Sequence, residues 1–199
     1  MAGAFPISTA KFQSLGIKSI QNTIISKTVS GKKLARQIDG QRWSFTARVI
    51  TAKRSDVYGE LMAFIIKQRS GKENFTIVPP ELEDARGTAS GTPNGTASAG
   101  ATSITLGGSG TGTLKAGDFI KFANHDKVYM VVADQSDIST GSLTIEPPLT
   151  TAVSSSDITY DNVPFTVYLT NDIQEFGVVG ADKDGNALYQ FEFDVEESL

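Results

Sequence analysis

The chain contains no cysteine, which excludes disulfide staples and thiol chemistry. It has a single histidine, His125, too few for a zinc site, which draws several ligands from His and Cys. A basic excess is also missing. Eighteen Lys and Arg face 22 Asp and Glu, a net charge of −4, so sequence-specific nucleic-acid binding through phosphate neutralisation is not expected. No apolar run reaches the roughly 18 residues of a membrane span, so membrane insertion is not expected either. The start, Met1-Ala2-Gly3-Ala4-Phe5-Pro6, lacks the basic and apolar regions of a signal peptide, and synthesis in a cytoplasm is expected.

What the chain does have is β structure. Its 199 residues, 39% hydrophobic and 20% charged, suffice for one or two globular domains with a real core. The most informative stretch is 114–134. Residues 118–123 and 127–133 read as strands joined by Asn124-His125-Asp126, an antiparallel hairpin. In 42–50, Trp43, Phe45, Ala47 and Val49 alternate with Arg42, Ser44, Thr46 and Arg48, the pattern of a strand wet on one face. Further strands are expected at 24–29, 74–78, 102–106 and 142–146, the second and last stopped by proline pairs. Val163, Phe165, Val167 and Leu169 alternate inward, as do Tyr189, Phe191, Phe193 and Val195. That last strand is too aromatic for an edge and is expected to pair with strands before residue 80. Residues 1–30 read as an extended arm, with apolar residues from Phe5 and Ile7 onward, that lies on its own domain or reaches a neighbour. One helix is expected, about 55–69, capped by Ser55, with Val57, Leu61, Phe64 and Ile65 on one face and a left-handed stop at Gly71.

Residues 87–113 are almost entirely Gly, Ser, Thr, Ala and Asn. The composition suits a flexible linker, whereas the embedded 102–106 strand suits the edge of a small barrel. The latter reading gives a chain mainly β in class, a β-sandwich or split barrel with one α-helix, carrying an inserted β domain. The outer domain then takes 1–85 plus 170–199, and the inserted one 86–169.

Catalytic and cofactor motifs fail on inspection. No Gly-x-Ser-x-Gly elbow accompanies His125, which reads as a solvated turn residue. Asp182-Lys183-Asp184-Gly185-Asn186 opens like a calcium loop but has Phe193 where the late Glu belongs, and reads as a hairpin turn. The glycine runs 107–112 and 30–33 lack the Lys-Ser/Thr ending and the helix of a phosphate loop. The carboxylate pairs Glu81 with Glu83 and Glu196 with Glu197 read as solvated surface. The chain is not expected to be an enzyme, and no catalytic residue, metal or cofactor is assigned.

Several segments in order carry a resemblance: Phe5-Pro6, Phe12-Gln13-Ser14, residues 28–33, Gln41-Arg42-Trp43-Ser44-Phe45-Thr46, and the helix around 61–68. They continue with Phe75-Thr76-Ile77-Val78-Pro79-Pro80, residues 115–120, Lys127-Val128-Tyr129, and the closing Glu196-Glu197-Ser198-Leu199. Together they resemble the distal tail proteins of long-tailed bacteriophages (siphophages), in the branch whose outer β domain carries a small OB-like insertion. The resemblance implies a virion protein of the tail tip, made in the bacterial host cytoplasm. It implies a ring, usually hexameric, that joins the tail tube to the baseplate hub, scaffolds tail-fibre proteins and lets DNA pass. Six such subunits would carry a formal charge of about −24 at −4 each, part of which could line the bore. Alternatives are a tail-tube or other tail-tip protein, and a carbohydrate-binding module acting in host attachment. An OB-like face binds sugars through stacked aromatics, so Phe119, Phe122, Tyr129 and Tyr160 are the candidate contacts to host surface carbohydrate.

Overall fold

The structure, a computed structural model, describes residues 3–6, 12–38, 40–80 and 82–199. Ile7 of the predicted arm and Glu81 of the first carboxylate pair lie outside the described residues. In chain order, β1 (Phe12–Ile20) leads to a ribbon of β2 (Thr23–Lys27) and β3 (Lys33–Gln37), and then to β4 (Arg42–Val49) and β5 (Ala52–Lys53). A π-helical turn, Arg54–Tyr58, runs into α1 (Gly59–Lys67), followed by β6 (Phe75–Ile77). Six strands come next: β7 (Pro93–Ala97), β8 (Ser103–Gly108), β9 (Phe119–Phe122), β10 (Val128–Val131), β11 (Ser142–Glu146) and β12 (Val153–Thr159). The chain closes with β13 (Phe165–Leu169), β14 (Phe176–Ala181) and β15 (Ala187–Glu197).

These strands make one large sheet, one closed barrel and the separate ribbon. The sheet runs β1-β4-β15-β13-β6, with β14 and β5 flanking the first half of β15. As its aromatic alternation requires, β15 is central. Its second half pairs with β4, Val195 opposite Phe45, and with β13, Leu169 opposite Val195. The inward faces bury Trp43, Phe45, Ala47 and Val49 of β4 with Phe191, Phe193 and Val195 of β15. Across the core Phe45 meets Phe165 edge-on at 4.9 Å. Leu61 and Ile65 place α1 over this core, and Phe64 packs edge-on against Phe75 at 5.4 Å. The start of the chain lies on its own domain: the Phe5 N–H donates to the Thr76 carbonyl at 2.7 Å, and the Phe5 ring is buried.

The helix departs from expectation at both ends. Its first turn is π-helical from Arg54, so Ser55 lies inside it and its hydroxyl donates to Asp56 Oδ1 at 3.1 Å instead of capping. The left-handed stop falls on Arg69 and Ser70, at φ 54° and 58°. Gly71 serves close packing instead, because a Cβ there would sit 2.7 Å from the Leu169 carbonyl oxygen.

The barrel closes in the order β10-β11-β8-β7-β12-β9. It has six strands where the OB fold has five. The predicted hairpin is present as β9 and β10, with Tyr129 opposite Ile120. The Gly/Ser/Thr tract is no linker: it supplies β7 and β8, paired from Pro93↔Gly108 to Thr96↔Thr105. Gly95 points into the barrel, where a Cβ would come within 2.7 Å of Ile104 and 2.8 Å of Phe122. The barrel strands span residues 93–159, and β13, which the sequence reading assigned to the insertion, pairs with β6 and β15 in the large sheet. Its inward residues Phe165, Val167 and Leu169 belong to the sheet's core, which is why the strand leaves the barrel.

Candidate functional site

The surface that stands out is the β2–β3 ribbon. Among the described strands these two pair only with each other, from Thr23↔Gln37 to Lys27↔Lys33, and all ten of their residues are exposed. The tip is closed by its own hydrogen bonds. The Gly31 N–H donates to the Thr28 carbonyl at 2.9 Å, and the Lys32 N–H donates to the Thr28 hydroxyl at 3.0 Å. The ribbon is also apolar: Ile24, Ile25 and Leu34 are 56%, 55% and 49% exposed, Val29 is fully exposed at the tip, and Ile38 at the base is 60% exposed. A lone two-stranded ribbon is marginal in water, and burying one such side chain is worth about 1.5–3 kcal/mol. An exposed apolar element of this kind marks a contact surface. Its charges share one sign: residues 12–38 hold Lys18, Lys27, Lys32, Lys33 and Arg36 and no acid.

The large sheet's outer face is polar and cross-linked. Lys18 Nζ donates to the Thr46 hydroxyl at 3.0 Å, which donates to Asp194 at 2.6 Å. Arg42 pairs with Glu196 at 3.2 Å, and Arg48 donates to Gln190 at 2.7 Å. Charge on this face is largely matched within the chain itself.

Between barrel and sheet lies a buried joint. Lys127, at the start of β10, is 2% exposed and Glu197, at the end of β15, 1%. Lys127 Nζ donates to Glu197 Oε2, and to Gln41 Oε1 at 2.7 Å. Glu197 also accepts the backbone N–H of Val128 at 2.8 Å and that of Trp43 at 3.1 Å. The Trp43 indole N–H donates to the Val128 carbonyl at 2.9 Å, and its ring meets Phe119 edge-on at 5.2 Å. Burial pulls the Lys127 ammonium below its usual range and pushes the Glu197 carboxyl above its own, each opposed by the attraction of the other. Glu197 is therefore not the solvated surface acid expected from its neighbour Glu196.

The four candidate sugar contacts are core residues. Phe119, Phe122, Tyr129 and Tyr160 are 4%, 0%, 0% and 7% exposed. Phe119 packs against Trp43 and Phe165. Phe122 and Tyr129 fill the barrel, and the Tyr160 hydroxyl donates to the Gly91 carbonyl at 2.8 Å. None offers a ring face to a ligand from solvent: Phe119 is committed to the large sheet's core and the other three to the barrel's. His125 is not freely solvated. Its Nδ1 lies 2.8 Å from Asn124 Oδ1, its Nε2 2.8 Å from the Tyr129 hydroxyl, and its ring stacks on Phe122. Burial, then the nearby Lys121, lowers its pKa. Its partners are an amide and a phenol, not a nucleophile and a carboxylate. Asp182 closes the β14–β15 turn: its carboxylate accepts from Lys53 at 2.5 Å, from the Asp184 and Asn186 N–H groups at 2.8 Å, and from Asn186 Nδ2 at 3.0 Å. Lys53 above all, then Asn186, holds it well below the usual carboxylate range. Among the described residues no three His, Cys, Asp or Glu gather as a metal site, and no helix is long and apolar enough to cross a membrane.

Comparison with known families bears on the barrel. Residues 84–163 match the family model described as distal tail protein pb9, B domain. All six barrel strands fall inside the matched stretch. The match supports a structural protein of a phage tail, and hence a place in the virion. No curated protein matches the chain.

Proposed function

We propose that this chain is a non-enzymatic structural protein of a siphophage tail tip. It forms a ring, of six subunits, that joins the tail tube to the baseplate hub and host-recognition apparatus and leaves a bore for DNA. The observation that carries this reading is the family match over 84–163, a barrel set into a large sheet with an unpartnered ribbon. We divide the chain accordingly: an outer ring-forming domain on either side of an inserted, OB-like barrel bounded by that match. Ring closure needs one subunit to offer two different surfaces, and an exposed ribbon held clear of the subunit's own core supplies one of them. Immunogold labelling of intact particles, with class averages of the purified chain, tests the reading. Label confined to the tail end together with ring-shaped averages is the expected result. Label along the whole tail would identify a tube protein instead.

A further inference from the structure

The second surface a ring requires is visible at the opposite border of the large sheet. Among the described strands β14 pairs only with β15, so its outer edge is open. Its sequence, Phe-Gly-Val-Val-Gly-Ala, carries no charge, and Val178 and Val179 are 59% and 54% exposed. Ile173, just before it, is more exposed still. Natural edge strands are usually guarded by charged residues, proline or a covering element, because an open apolar edge recruits another strand. Within β14 only the irregularity in its pairing between Val178 and Gly180 departs from a plain edge. The charges lie beside it: Asp172, Glu175, Asp182 and Asp184, against Lys183 alone in residues 171–186. Asp182 is already neutralised by Lys53, while Asp172, Glu175 and Asp184 are exposed.

We propose that the β2–β3 ribbon of one copy seats on the outer edge of β14 in the next copy. This inference rests on the ring reading and names its contact. The two surfaces match in both respects that matter. Each is apolar at its centre, Ile24, Ile25 and Leu34 on the ribbon against Ile173, Val178 and Val179 at the edge. The ribbon's surround is basic, through Lys27, Lys32, Lys33 and Arg36, and the edge's surround is acidic. Neither surface resembles itself, and like charges would oppose a ribbon-to-ribbon or edge-to-edge pairing. The contact is therefore head-to-tail, the kind that propagates from copy to copy until it closes. Opposite charges at its rim set orientation and favour encounter at low salt.

The absence of native cysteine permits a direct test in the full chain. Ile24→Cys and Ile25→Cys, on opposite faces of the ribbon, are each combined with Val178→Cys, and oxidation is followed on denaturing gels. A disulfide forms only where Cα atoms approach to within about 7 Å. A ladder of covalent multimers from one of the two double variants is the expected result. Mixing the corresponding single-cysteine variants should stop at a mixed dimer, and Lys33→Glu with Arg36→Glu should remove most of the product. Light scattering on the same samples separates the two ways of failing. Multimers in solution with no cross-link from either face would overturn this contact and leave the ring standing. A chain monomeric at every concentration would overturn the ring together with the contact. Homodimers from single-cysteine samples would overturn head-to-tail association.

Discussion

Glu197 shows how much a single residue can contribute to joining two parts of a chain. Its carboxylate takes one ammonium and two backbone N–H groups, all buried. Removing one member of such a pair strands the other charge, so Glu197→Gln or Lys127→Met should each cost about 3–5 kcal/mol of stability. The double replacement Lys127→Met with Glu197→Leu should cost less than the two singles combined, a difference that chemical denaturation of the four proteins measures directly. The strand phase of the sequence points to this burial. Glu197 continues the odd-numbered inward phase of Tyr189, Phe191, Phe193 and Val195, and Gln41 likewise precedes Trp43 and Phe45 in phase. Adjacency to Glu196 suggested solvent, whereas strand phase dictated burial. His125 gives a pH prediction. Its pKa in the fold lies below the ordinary 6.5, so as pH falls the unfolded chain takes up the proton first. The contribution is complete above about pH 6.5 and is lost as pH falls below it, toward the folded-state value. Denaturant midpoints should therefore drop between pH 7.5 and 5.5, and drop less in His125→Asn. Gly95→Ala forces a methyl group against Ile104 and Phe122, and overpacking of this kind should cost about 1–3 kcal/mol in the same assay.

At the scale of elements, legibility followed burial. β4, β11, β13 and β15 were plain in the sequence because one face of each is core and the other is not, and the alternation records that contrast. The ribbon was half visible. β2 was expected and β3 was not, because Lys-Leu-Ala-Arg-Gln, exposed throughout, has no inward face to write a period. β7 was hidden for a different reason: Pro-Asn-Gly-Thr-Ala lines its part of a narrow barrel with a glycine, where apolar side chains would not fit. α1 was expected from its spacing, but its ends were set by contacts the spacing does not encode, such as the approach of Leu169 to Gly71. The ribbon's exposure separates its roles. Ile24→Ser with Leu34→Ser removes no core contact, so the unfolding midpoint should move by no more than about 0.5 kcal/mol. Sedimentation should nevertheless show weakened self-association, since the deleted side chains are the ribbon's apolar surface.

Taken whole, the molecule has two hydrophobic cores that are not independent. Phe119 and Val128 start from barrel strands and finish inside the core of the large sheet, and the Lys127–Glu197 pair seals the same seam. Barrel and sheet should therefore unfold in one transition, with far-UV circular dichroism and hydrogen exchange of β8 and β15 reporting a common midpoint. Two resolved transitions would show that the seam opens first. Rigidity of this kind would suit the ring proposed above, where an appended barrel has to keep a fixed angle.

The placement of Trp43 adds a practical consequence. It is the chain's sole tryptophan, and its indole is hydrogen-bonded to one unit while its backbone belongs to the other. Intrinsic fluorescence is thus a built-in gauge of the seam, free of background from elsewhere. A red-shifted emission under conditions that leave the circular dichroism intact would signal the barrel swinging away. The same spectrum, followed as the protein is concentrated, would reveal whether the proposed association loosens or tightens that seam.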